Sequence, residues 1–326
     1  MKVLRRIALV IPVLALAGAP CAAFAQEKWP SKPIRLIVPF TPGSASDVLG
    51  RIVAQRLSDG YGQQIVIDNR PGAGGLIGSE LTRQATPDGY TLTMIGQPHL
   101  SNALLRADNK PYDPLNDYAA VSPVGSTHNV IVLGRTVSAK TIPDLIALAR
   151  AKPGSLNYGS AGVGSSSHLA GALFASKAKI DVVHVPFRVG PDSRNALIAG
   201  TIHYYVYPLP AIVGMLKAGT LRALAVGSPK RAAALPDVPT SAEAGFGEYR
   251  SESWFGLIGP RAMPRSLVAR INADTATVLR EPATRDKIVQ QGAEPRFGPP
   301  EQFAKMQRDE YAELGALIKQ IGMKTQ

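Results

Sequence analysis

The sequence holds a single cysteine in 326 residues, Cys21, and it falls in an N-terminal stretch that reads as a removable leader. Disulfides and thiol chemistry are therefore excluded from the rest of the chain. Aromatic residues make up only 6% of the chain, and its 36 Lys and Arg never form a run of five. A nucleic-acid-binding stripe is thus absent. No apolar run reaches the roughly 20 residues that a membrane span requires. The five histidines, at 99, 128, 168, 184 and 203, show no H-x-x-x-H or Cys/His spacing, so neither a metal ion nor a cofactor is expected. Neither of the two small-residue loops described below ends in Gly-Lys-Ser/Thr, which excludes a phosphate-cradling P-loop.

What is present begins with an address. "MKVLRRIALVIPVLALAGAPCAAFA" places Lys2, Arg5 and Arg6 before an apolar core from Ile7 to Ala17 and an Ala23-Phe24-Ala25 cleavage signal. Residues 1–25 are expected to be a signal peptide, with the mature chain starting at Gln26 outside the cytoplasm. Losing its three positive charges takes the formal net charge from +12 to +9. About 300 residues remain, enough for two domains with their own cores. Diffuse positive charge favours encounter with small anions.

In "RLIVPFTPGSASDVLGRI" the run Leu36–Val38 is short, apolar and β-branched, like a buried strand. From Asp47 onward Val48, Leu49, Ile52, Val53 and Leu57 recur at helical spacing. Between them lies a loop of small residues, with Ser46 or Asp47 as the expected N-cap. A strand, a small-residue loop and a helix start together make a place for an anion. "LNYGSAGVGSSSHLAGALF" (156–174) repeats that grammar about 120 residues later. Its glycines admit close main-chain approach and its serines add hydroxyl donors. Taken singly, either loop is also an ordinary strand-to-helix turn.

Elsewhere strand-like segments (65–68, 91–95, 130–133, 182–185, 204–207, 221–226, 254–258) alternate with helix-like ones (75–84, 142–151, 169–176, 192–199, 264–279, 300–321). The alternation predicts α/β layers with mostly parallel sheets.

Over essentially its whole mature length the chain resembles the Bug or TctC family, the extracytoplasmic solute receptors of tripartite tricarboxylate transport systems. The resemblance is carried by "WPSKPIRLIVPFTPGSASDVLGR", "VIDNRPGAGGLIGSELTRQATPDGYTLTM", "YDPLNDYAAV", "KPGSLNYGSAGVGSSSHLAG", "HVPF", "LKAGTLRALAV" and "LPDVPTSAEAGFGEY". It implies a periplasmic two-lobed (Venus flytrap) binding protein, an α/β fold with a two-crossover hinge. Lobe 1 would hold 26–124 plus 251–326, and lobe 2 would hold 125–250. It implies a small organic acid, usually a carboxylate, as ligand, and permease subunits of a tripartite tricarboxylate transporter as membrane partner. Action as a monomer is expected.

The family's two ligand-gripping motifs correspond to Phe40–Asp47 and Ser160–His168. The candidate ligand-binding residues are Phe40, Thr41, Gly43, Ser44, Ala45, Ser46 and Asp47 on the first. On the second they are Ser160, Ala161, Gly164, Ser165, Ser166 and His168. Tyr207 is added from a third side, where the chain departs from the family pattern: Ala196, His203 and Tyr207 stand in place of acids, and Val189 in place of a glycine. By alternation Tyr205 and Tyr207 share one strand face, with Tyr207 either lining the cleft or packed in the core. Tyr207 with Phe40 or Phe187 would shape an apolar middle. Gln97, His99 and Arg188 are further contact candidates.

Two other functions compete. A secreted serine hydrolase would use Ser165 or Ser166 with His168, His184 or His203, but the G-x-S-x-G elbow is missing. An orphan ligand sensor would feed a signalling system instead of a permease. A dinucleotide site, suggested by Gly162-x-Gly164 with Asp181 about 20 residues on, is opposed by Ser167 at the third glycine position.

Overall fold

The computed structural model describes residues 29–323 except 107, 109, 189 and 248. The expected leader, its cleavage site and Val189 lie outside the described residues.

The apolar run Leu36–Val38 is the middle of β1 (Ile34–Val38), buried along almost its whole length. Parallel neighbours flank it, β2 (Ile65–Asn69) and β3 (Thr91–Gly96). Helix α1 (Ala45–Tyr61) follows and turns Leu49, Val53 and Leu57, spaced by four, into a core with Leu36, Val38 and Met94. Its N-cap is Ser44, not Ser46 or Asp47, because Ser44 Oγ accepts the Asp47 N–H at 3.3 Å. A capping hydroxyl reaches the amide three residues on, so the helix starts earlier than its apolar periodicity suggests. Gly62, at φ 64°, ends the helix in a left-handed turn.

The second half repeats the plan. Strand β5 (Asn157–Ser160) lies between β6 (Val183–Pro186) and β7 (Tyr204–Pro208), again all parallel. Helix α5 (Ser166–Ala178) follows β5, and α6 (Gly190–Ala199) leads into β7. Helix α4 (Ile142–Ala151) precedes them, its start fixed by a reciprocal Thr141–Asp144 capping box.

One strand serves both halves. β4 (Tyr118–Leu133) pairs antiparallel with β9 (Glu252–Pro260) through His128, then with β7 and β8 (Arg222–Val226) from Asn129 onward. The short β10 (Ala293–Pro295) also joins β4. The order is β2-β1-β3-β9-β4-β7-β5-β6, so parallel trios flank a central antiparallel pair. Alternation along the chain indicates the trios; of β4 and β9 it marks only 130–133 and 254–258, and it does not show that the two strands pair antiparallel between the halves. The two crossings are tied together at Asn129, whose Nδ2 donates to Ser251 Oγ at 2.7 Å and whose Oδ1 accepts from Ser253 Oγ at 3.1 Å.

The remaining helices pack outside: α2 (Leu76–Arg83), α3 (Pro98–Leu105), α7 (Val213–Lys217), α8 (Arg265–Arg280), α9 (Pro282–Gln290) and α10 (Pro300–Gln320). Helix α3 is buried at nearly every residue. No described helix is long and apolar enough to cross a membrane.

Candidate functional site

Strands β1 and β5 both end at the middle of the molecule, and each hands the chain to a serine-capped helix. The two caps match: Ser44 at φ −70°, ψ 160° and Ser165 at φ −69°, ψ 158°. Ser165 Oγ accepts the His168 N–H at 3.3 Å, as Ser44 Oγ accepts that of Asp47. Residues in a first helical turn have no intrahelical acceptor for their N–H groups. The starts of α1 and α5 therefore offer donors, with the positive end of each helix dipole behind them.

Both starts open onto one cavity of about 70 Å³, lined by Phe40, Thr41, Ser44, Ala45 and Ser46 on one side and Ala161, Ser165, Ser166 and Ser167 on the other. That is several times the 10–15 Å³ needed for one water. Tyr205, Tyr207 and Pro208 of β7, Gly190 and Arg194 of α6, Met94, Gly96, Pro98, Ala211 and Phe255 complete the wall. Tyr205 and Tyr207 share a face, their rings stacked at 3.5 Å and 9°. Their hydroxyls meet Ser167 Oγ at 3.1 Å and Ser193 Oγ at 3.3 Å respectively. Tyr207 is thus both buried and cavity-lining. Of the other exchanged positions, Ala196 is partly buried against the core and His203 Nδ1 accepts the Asn157 N–H at 3.1 Å. Among the described residues no carboxylate lines the wall, and Arg194 is its one ionised side chain.

Five candidate residues lie behind this wall. The Gly43 N–H, at a backbone φ of 77°, donates to Asp47 Oδ2 at 2.9 Å. Asp47 is only 2% exposed and also accepts from Arg51 Nε and Asn69 Nδ2, both at 2.9 Å. Burial alone would raise its pKa, but these hydrogen bonds and the Arg51 charge hold it below the usual carboxylate value. Ser160 is fully buried, its Oγ 2.7 Å from His184 Nε2. The Gly164 N–H donates to His168 Nδ1 at 3.2 Å, and its carbonyl accepts from Ser101 Oγ at 2.7 Å. His168 stacks on His184 at 3.8 Å. All five shape the turns that the cavity residues stand on.

Four further candidates are placed elsewhere. His99 is a core residue, its Nδ1 2.9 Å from Ser79 Oγ and its ring between Tyr112 and Tyr118. Gln97 Nε2 donates to Glu310 Oε1 at 3.0 Å, away from the cavity. Arg188 and Phe187 line an outer groove with Arg106. The arginine that reaches the cavity is Arg194, which sequence reasoning missed; its one signal was its place a single helical turn into α6.

Burial lowers the pKa of His99 and of His168 to about 4, and burial with the nearby His168 lowers that of His184 to about 3. An unfolded histidine titrates near 6.5. These groups therefore contribute stability that is present above pH 6.5 and is lost as pH falls toward 4 and 3. Urea unfolding at pH 4.5 should show at least about 2 kcal/mol less stability than at pH 7, with a shallower loss in a His184→Asn variant. A flat profile between those pH values would contradict the buried neutral imidazoles.

The chemistry of hydrolysis finds little support. Ser165 Oγ donates to the Gly162 carbonyl at 2.7 Å and accepts the backbone N–H of His168, and among the described residues neither Ser165 nor Ser166 pairs its hydroxyl with a histidine ring nitrogen. Among those residues, too, no three His, Cys, Asp or Glu gather to hold a metal ion.

The sequence model of the tripartite tricarboxylate transporter family receptor matches residues 49–323. The chain belongs to this family. Protein BugT of Bordetella pertussis is 31% identical to this receptor over 325 residues, 99% of each chain. The structure of R. palustris Rpa4515 with adipate matches with a TM-score of 0.87 at 34% identity, covering 91% of this chain and 99% of that one. MatC from Rhodopseudomonas palustris with bound malate matches with a TM-score of 0.83 at 26% identity, covering 89% and 100%. The receptor accordingly has the two-lobed α/β fold of periplasmic binding proteins, and its relatives are binding proteins rather than enzymes.

Proposed function

We propose that this receptor captures a small organic acid between its two lobes in the periplasm and delivers it to a tripartite tricarboxylate-type permease. The observation that carries the reading is the pair of serine-capped helix starts opening onto one cavity whose wall, among the described residues, holds no carboxylate. One carboxylate of the ligand rests on the Thr41–Ser46 turn, and a second polar group meets Ala161 and Ser165–Ser167. Phe40 and Tyr207 shape the apolar middle. Adipate and malate in the related structures support the ligand class. Lobe 1 comprises 26–124 plus 251–326 and lobe 2 comprises 125–250; the first division falls inside β4 and the second just before β9. Residues 1–25 direct export and are removed, and the receptor acts as a monomer. Ligand energy closes the lobes, and the permease reads the closed form.

A thermal-shift screen of C3 to C6 mono- and dicarboxylates tests this reading, because a ligand bound only by the native state raises its stability. At least one acid should raise Tm in a concentration-dependent way. The double change Ser165→Ala with Ser166→Ala should then weaken that acid by about 1–3 kcal/mol in calorimetry. No response to any acid would end the proposal.

A further inference from the structure

The cavity wall carries a cation that makes no hydrogen bond or ion pair among the described residues. Arg194 stands one turn into α6, and helical side chains lean back toward their own N-terminus. Its guanidinium accordingly returns over Gly190: a Cβ placed on Gly190 would stand 3.7 Å from Arg194 Nη1 and 3.2 Å from Thr41 Oγ1. The same spot therefore borders the first ligand turn. Ser193, the preceding residue, is held by its Oγ donating to the Gly190 carbonyl at 2.8 Å and by Tyr207 Oη at 3.3 Å. This fixes the helix turn from which Arg194 projects. Among the described residues no acid pairs with it: Asp47 spends its oxygens on Gly43, Arg51 and Asn69 behind the wall. A half-buried guanidinium facing a cavity without a counter-charge is placed to take one from a guest.

We infer that Arg194 is a specificity-determining residue that pairs with a second carboxylate of the ligand, so that this receptor selects small dicarboxylates over monoanions of the same length. The inference rests on the proposed function above and adds the group that discriminates. The planar fork of arginine suits a carboxylate bidentately, a match that a neutral amide end cannot make.

The test is calorimetry with succinate, malate and adipate against their half-amides, on the wild-type receptor and on Arg194→Leu, Arg194→Gln and Arg194→Lys. The wild type should prefer each fitting diacid over its half-amide by roughly 30-fold, and Arg194→Leu should erase that preference while half-amide binding stays within about threefold. Arg194→Lys should restore part of it. The glutamine variant, whose polar side chain suits a partly exposed site, answers the same question should the leucine variant fail to fold. A preference that survives both neutral variants, or a wild type with no preference among acids it does bind, overturns the inference and leaves the proposed function standing. A wild type that binds neither diacids nor half-amides removes the proposed function, and this inference with it.

Discussion

Replacing Gly74 by alanine should lower ligand affinity on the order of 100-fold while leaving the ligand-free fold intact. Gly74 precedes α2, in the first half of the molecule, at a backbone φ of 67°. A Cβ there would come within 2.2 Å of the Val163 carbonyl oxygen, which belongs to the second ligand turn in the other half. Two backbones cannot both keep their places with a methyl group wedged between them. An open form in which the two turns part would be spared that clash and would carry only the left-handed backbone's cost of about 1–2 kcal/mol. The substitution therefore penalises the closed form selectively, and a receptor that must close to hold its ligand loses affinity by that amount. Titration calorimetry with any acid found in the screen, paired with thermal unfolding of the ligand-free variant, checks both parts. Unchanged affinity would mean that the halves do not meet along this seam when ligand is bound.

Asp47→Ala should destabilise the receptor by about 2–4 kcal/mol and abolish detectable binding. The carboxylate is the hub of the first turn. It gathers the Gly43 N–H, Arg51 and Asn69, and Asn69 in turn donates to the Phe40 carbonyl at 2.9 Å. Removing it leaves the Gly43 amide and one hydrogen of Asn69 without partners inside the protein, each costing about 1–3 kcal/mol if kept from water. Arg51 is half exposed and loses little, which keeps the total at the low end for a broken buried pair. The pH dependence follows from the lowered pKa: the Asp47 contribution is present above the ordinary aspartate value near 3.9 and disappears as pH falls through the lower folded value. Denaturant unfolding at pH 7 measures the loss, and a change under 1 kcal/mol would show that the turn holds its shape without the hub.

Asp47 is a candidate residue of the sequence, and Gly74 is not. Asp47 was singled out from sequence as part of a ligand motif, yet its side chain faces away from the cavity and ties the turn from behind. The Gly43 N–H also serves Asp47, and among the described residues a Cβ on Gly43 would meet nothing within 4 Å. Both motifs were readable because a capped helix after a buried strand is a local pattern, written within about 20 consecutive residues. Which side of each turn meets the guest is not local. It depends on what packs behind, and in the second motif that is a stacked His168–His184 pair brought together from separate elements.

The α/β class, the strand and helix alternation and the two small-residue loops were determined by the chain alone, since hydrophobic periodicity and serine capping act between near neighbours. Tertiary structure decided the rest: that both loops open onto one cavity, that Tyr205 and Tyr207 stack in its wall, and that Arg194 rather than Arg188 supplies its charge. The reason is physical. A side chain's partner across β4 and β9, or across the seam at Gly74 and Val163, is set by sheet pairing over more than eighty residues of intervening chain, and no local spacing records it.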